Sequence, residues 1–223
     1  MMQRVEEKLA LGFRCIKLKI GAIDWLSEID LIKSIRQRYS ADEITVRVDA
    51  NGAFSMDDVF PRLKLLADLG IHSIEQPIRA GSPELMAFVC KMSPVPVALD
   101  EELIGVYDTD NRKRLLDSIN PAYIILKPAL VGGFSGAAEW IELAKERGIG
   151  WWITSSLESN VGLNALAQWT ATLDTGGLPQ GLGTGALFTN NAPSQLSLSG
   201  DKLSFDTAAV RDKSFFEALP WRE

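Results

Sequence analysis

Short β-branched apolar runs alternate with longer stretches of helical period from residue 14 onward. The runs are RCIKLKI (14–20), ITVRVDA (44–50), HSIEQP (72–77), VPVALD (95–100), AYIILKP (122–128) and GWWITSS (150–156), with a weaker seventh at GLGTGALF (181–188). Between them, DWLSEIDLIKSIRQRY, MDDVFPRLKLLADLG and GAAEWIELAKERG repeat apolar residues at spacings of three and four, which predicts helices covering a sheet. Gly70 and Gly148 stand where such helices should end, each just ahead of the next strand. This βα rhythm predicts an α/β fold with a parallel sheet, either a closed barrel or an open doubly wound sheet. No GxGxxG follows the first run, which removes support for a dinucleotide-binding sheet. Seven strands after a leading helix over residues 2–11 fit a barrel that lacks its first strand. Residues 1–189 are expected to form that incomplete barrel. Residues 190–223, where the rhythm stops, read as short strands around the turn Ser-Gly-Asp, packed outside it.

Composition narrows the picture. The 223 residues are 46% hydrophobic and 23% charged, ordinary for a globular protein and far from a disordered one. A net charge of -6 without a dense basic cluster argues against nucleic acid as a partner. The N-terminus MMQRVEEKLALGF is charged and helical in pattern. No stretch approaches the roughly 20 apolar residues of a membrane span, so a cytoplasmic protein is expected. Cys15 and Cys90 lie inside apolar runs and read as buried reduced thiols.

The informative feature is where charge falls. Lys17 and Lys19, Asp49, Glu75, Asp100 and Lys127 each sit within or at the carboxyl end of a successive apolar run. In a barrel these ends converge on one face. An ionisable group in a parallel strand buried on both sides costs several kcal/mol unless it is paired or metal-bound. A single carboxylate at a strand end is ordinarily a solvated loop-edge residue. Three on adjacent strands flanked by lysines point to a site. Oxygen donors without cysteine or histidine favour a hard cation, Mg²⁺ or Mn²⁺, over zinc. The single histidine, His72, reads as a packing or strand-start residue, and without a GxSxG elbow a serine or cysteine triad has no support. Lys17 and Lys19 share a face by the two-residue strand period, so mutual repulsion, with the metal's charge, is expected to lower their pKa and free an amine for base catalysis. Ser155, Ser156 and Ser159 end a strand and open the helix NVGLNALAQWTA. There they either bind a substrate carboxylate or simply cap the helix. Gly132 and Gly133 after Lys127 read as a turn.

The motifs KLK (17–19), VDANG (48–52), IEQP (74–77), ALDE (98–101) and LKPALVGG (126–133), taken in order from about residue 12 to about residue 191, resemble the muconate-lactonizing subgroup of the enolase superfamily. Within it, SSLESNVG (155–162) and GLGTGALFTNN (181–191) are most similar to the o-succinylbenzoate synthases of menaquinone biosynthesis. The resemblance implies a (β/α)7β TIM-type barrel, a small-molecule carboxylate substrate and a hydro-lyase. In that reading Lys19 removes a proton α to a carboxylate and then, as an ammonium, protonates the departing hydroxyl on the same face. Asp49, Glu75 and Asp100 would ligate the metal, and Lys127 would stabilise the enediolate from the other side. Lys17, Asn51, Ser156 and Ser159 would contact substrate, with Glu101 behind them. The subgroup's epimerases usually carry Asp-x-Asp at the last barrel strand, where this chain reads Gly-Thr-Gly. The resemblance also implies an α+β capping domain and a first strand ahead of residue 1, supplied by a preceding segment or a separate polypeptide, with residues 190–223 returning towards it. A homo-oligomer is compatible with this reading. Five alternatives stay open: a dipeptide epimerase, an N-acylamino acid racemase or a cycloisomerase with the same lysines, an inactive barrel fragment acting as a binding partner, or a phosphate-binding barrel isomerase using GLGTGALF.

Overall fold

The computed structural model describes residues 2–183, 187–208 and 214–217. Six strands form one parallel sheet in sequential order: β1 (Cys15–Lys19), β2 (Thr45–Asp49), β3 (Ser73–Glu75), β4 (Val97–Leu99), β5 (Tyr123–Leu126) and β6 (Gly150–Ile153). Each falls inside one of the six strong apolar runs. Helix α1 (Met2–Ala10) precedes β1, and α2 (Trp25–Arg38), α3 (Val59–Asp68), α4 (Pro83–Met92), α5 (Thr109–Ile119) and α6 (Gly133–Glu146) connect successive strands, with α7 (Asn160–Thr170) after β6.

Local chemistry sets the helix ends. Asp24 and Asp108 accept the Ser27 and Asn111 amides to start α2 and α5, and Pro83 opens α4. Gly70 and Gly148 adopt φ of +64° and +66° just past α3 and α6, as their positions predicted. In the first of these turns the Ile71 amide reaches back to the Leu66 carbonyl.

The sheet has two unlike faces. On its outer face Ile16, Leu18, Val46, Val48, Ile74, Val97, Leu99, Ile124, Leu126 and Ile153 pack against Ile32, Leu63, Leu66, Met86, Val89, Leu116 and Trp140 of the helices in one continuous core. The inner face carries a small separate cluster of Ala98, Ile125 and Trp152 with Tyr123 against it. The sheet curls into a half-barrel, and one contact makes the curl explicit: the Arg47 guanidinium of β2 lies 3.9 Å from the Trp152 ring centroid of β6. Arg112, fully buried, donates to the carbonyls of Val106, Val131 and Gly136 and to Glu139, tying α5 and α6 to the turns beyond β4 and β5.

The expected seventh strand is largely absent from the described residues. Of GLGTGALF, residues 184–186 lie outside them, and what remains pairs with the sheet through a single parallel bridge from Thr154 to Gly181. Within this run Leu182 packs against the main core. Gly181 has its own reason to be glycine, because a Cβ there would sit 2.5 Å from Thr154 Oγ1. Within residues 190–208, β7 (Leu196–Ser199) and β8 (Lys202–Phe205) pair antiparallel around Gly200 and Asp201, and β8 lies against α7. No described helix is long and apolar enough to cross a membrane.

His72 precedes β3 and stacks on Tyr123 with ring centroids 5.4 Å apart, a packing role. Both cysteines are free and half-buried, rather than fully buried. Burial raises the Cys15 thiol and pushes that of Cys90 up to about 12, with the Glu102 charge adding to the second. Since the thiolate is the reactive form, neither thiol should be alkylated by iodoacetamide at pH 8 at more than a small fraction of its rate in the urea-unfolded chain. Equal native and unfolded rates would contradict this placement. Leu66→Ala in the outer core should lower unfolding free energy by about 2–5 kcal/mol in urea denaturation, because the fully buried site cannot refill.

Candidate active site

Strand register builds the site. Lys19 is the Cα partner of Asp49, Asp49 of Glu75, and Glu75 of Ala98, so one row crosses β1 to β4 at their carboxyl ends. Alternation then puts Asp100 beyond Ala98 and Lys127 beyond Ile125 on the same inner face. All the strand-end charges that the sequence singled out are thereby brought together, with the three carboxylates 0–2% exposed.

Their partners are lysines. The Lys17 ammonium bridges Asp49 Oδ2 at 2.7 Å and Glu75 Oε2 at 2.6 Å. Lys19 reaches the same Asp49 oxygen at 2.6 Å and donates to Asn51 Oδ1 at 2.6 Å. Lys127 pairs with Asp100 Oδ2. Asn51, held at φ +44°, donates its amide nitrogen to Glu101 Oε1 at 2.9 Å, so Glu101, Asn51, Lys19 and Asp49 form one chain of hydrogen bonds. Among the described residues no three His, Cys, Asp or Glu side chains converge on a single point as a ready cation cage. The ammonium groups stand between the carboxylates instead.

The electrostatics are uneven along the row. Burial drives Glu75 well above the usual carboxylate range, against the pull of Lys17 and with the Asp49 and Asp100 charges adding to the rise. Asp49 stays well below it: burial works against its charge, but Lys17 and the bonds from Lys17 and Lys19 outweigh the burial. Glu75 Oε1 and Glu101 Oε2 are buried with no partner. The expected lowering of Lys17 is not seen. Burial acts in that direction, but Glu75 and Asp49 outweigh it and the pKa is raised, because two carboxylates touch the ammonium where mutual repulsion with Lys19 was expected to dominate.

Below the row, Arg47 forms the floor, donating to the Pro179 carbonyl at 3.1 Å and stacking on Trp152. At the start of α7, Ser159 occupies the cap position without a side-chain cap bond. Ser156 donates to Glu158 Oε1 at 2.9 Å, and Asn191 Oδ1 accepts the Asn160 amide at 2.7 Å, so this helix start is already partly occupied by its own chain. Gly132 is the cap of α6 at φ +99°, in keeping with the turn. The Gly-Thr-Gly of residues 183–185 falls largely outside the described residues.

Sequence reasoning passed over Gln76 and Glu102. Gln76 is fully buried at φ +41°, and its side chain bonds to the Ile78 carbonyl, the Glu102 carboxylate and the Asp100 and Glu102 amides. The available signal was a polar amide directly after Glu75 in IEQP and a third acid in the run DEEL.

Known proteins are similar to this chain in sequence and in fold. An o-succinylbenzoate synthase of Desulfotalea psychrophila is 56% identical over 203 residues, spanning 91% of this chain and 55% of that protein. The solved structure of MenC from Desulfotalea psychrophila superposes with a TM-score of 0.85 at 54% identity, over 90% of this chain and 55% of that one. An o-succinylbenzoate synthase of Geobacillus stearothermophilus is 32% identical over 73% of this chain and 41% of its own length. The L-Ala-D/L-Glu epimerase structure from Bacillus subtilis, 23% identical over 92% of this chain and 56% of that one with a TM-score of 0.79, shares the fold. The chain thus spans about half the length of the curated relatives it matches. Residues 1–186 match the model of the enolase C-terminal domain-like family, and the chain belongs to that family.

Proposed function

We propose that this chain forms the catalytic face of an o-succinylbenzoate synthase, a hydro-lyase that removes a proton α to a carboxylate and then eliminates water. The observation that carries the reading is that Lys19 at the end of β1 and Lys127 just past β5 stand at opposite ends of a row of three buried carboxylates at the carboxyl ends of the strands between. The likeness to a synthase over nine-tenths of the chain supports the same reading.

The donor set fits a hard divalent cation, Mg²⁺ or Mn²⁺. Asp49, Glu75 and Asp100 offer oxygen ligands only, and Glu75 Oε1 is buried without a partner, which is costly unless a ligand group satisfies it. When bound, such a cation supplies positive charge for the substrate carboxylate as negative charge develops on it. Lys17, held as an ammonium by Asp49 and Glu75, keeps positive charge beside Lys19. The side chain of Lys19 is 61% exposed, the most accessible of the three lysines, so it can leave Asp49 to meet substrate. As a neutral amine it takes the α-proton, and as the resulting ammonium it gives a proton to the departing hydroxyl, which leaves as water on the same face. Lys127, 18% exposed and anchored by Asp100, faces the enediolate from the other side.

In the protein that contains this chain, Lys19→Ala should lower kcat for dehydration by about 10²–10⁴-fold, the usual contribution of a general base, with the parent forming the aromatic product. The assay is run in deuterated water with the synthase substrate and with a panel of dipeptides. Deuterium exchange with inversion of a dipeptide and no elimination would overturn the synthase assignment in favour of an epimerase.

A further inference from the structure

We propose that Gln76 is a positioning residue whose amide fixes the spacing of the three carboxylates, and through that spacing the affinity of the site for a divalent cation. The inference rests on the cation reading above and adds a residue that touches neither substrate nor metal.

Gln76 is where the three carboxylate-bearing loops meet. Its backbone amide binds the Ala98 carbonyl at 2.9 Å, continuing the pairing of β3 with β4, and its carbonyl accepts the Gly52 amide at 2.7 Å from the turn after Asp49. Its side-chain oxygen accepts the amides of Asp100 at 3.2 Å and Glu102 at 3.4 Å. Its side-chain nitrogen donates to the Ile78 carbonyl at 3.1 Å and to Glu102 Oε2 at 3.0 Å. The other oxygen of Glu102 holds the Gly81 amide at 3.0 Å. One residue therefore links the turn that follows Asp49, the segment that follows Glu75 and the segment that begins at Asp100.

Two features mark this as more than local tidiness. A left-handed backbone is uncommon for a residue with a side chain, and it persists only where surrounding contacts hold it. A buried amide with its donors and acceptors satisfied rigidifies what it joins, and removing it leaves several groups unpaired in a dry interior. Glu75 and Asp100 are adjacent to the node or bonded to it through the backbone, so a shift of either segment moves a carboxylate directly.

Gln76→Met preserves shape and removes the side-chain bonds. Mn²⁺ binding followed by electron paramagnetic resonance should show an affinity about tenfold or more weaker, the range expected when a group supporting metal ligands is lost. Amide hydrogen exchange should speed at Asp100 and Glu102 while Ile124 and Ile125 in β5 keep their protection. Should Gln76→Met fail to fold, the comparison of Gln76→Glu with Gln76→Glu/Glu102→Gln decides. The single variant sets two carboxylates against each other and should lose affinity. The double variant restores a donor between them and should recover to within about threefold of the parent. A Gln76→Met protein that melts earlier yet binds Mn²⁺ as the parent does would overturn the proposal. A parent that binds no Mn²⁺ overturns the cation reading on which the proposal rests, a result distinct from unchanged affinity in the variant.

Discussion

Three carboxylates on adjacent parallel strands, each almost wholly removed from water, form the constraint on which the rest of the structure depends. An unpaired carboxylate in that position is costly, and three side by side also repel one another. The chain answers with ammonium groups. Lys17 bridges Asp49 and Glu75, Lys19 adds a second bond to Asp49, and Lys127 takes Asp100. The compensation is incomplete at Glu75, which keeps one oxygen unpartnered and a pKa well above the ordinary range. That unpartnered buried oxygen is what a divalent cation would satisfy.

Maintaining that row shapes the architecture around it. The outer face of the sheet is continuously apolar, so stability comes from helices packed on β-branched residues and the inner face is free to be polar. Curvature brings β2 and β6 side chains into contact through Arg47 and Trp152, giving the row a floor. The turns above it are short and strained at Asn51 and Gln76, the two described non-glycine positions with positive φ that border the carboxylates. Strain of this kind is held in place by the hydrogen bonds of Gln76, Glu101 and Glu102.

Much of this was legible in the sequence, for identifiable reasons. Six strands were visible because β-branched runs at regular intervals have few other uses, and the helix ends at Gly70 and Gly148 were visible because a left-handed residue there favours glycine. The carboxylates and lysines stood out because charge at the end of an apolar strand is rare unless it is used. Other features depend on contacts that span the fold. The direction of the Lys17 shift turned on its simultaneous contact with Asp49 and Glu75, which lie 32 and 58 positions away. Gln76 was hidden because a glutamine carries no charge signal and its partners lie in another loop. The seventh run lies partly outside the described residues, and what is described of it is the parallel bridge at Gly181. The start of α7 was weighed as an anion site without knowing that Asn191 would come back to accept its first amide.

Asp49, Glu75 and Asp100 are proposed to hold one divalent cation jointly, and calorimetric titration of the parent and of Glu75→Gln with Mg²⁺ puts this to the test. The parent should take up one Mg²⁺ per chain and the variant should show no measurable binding, since glutamine keeps the shape of the side chain and removes its charge. A parent that takes up no Mg²⁺, or a variant that binds it equally well, would show that these carboxylates do not form a joint cation site.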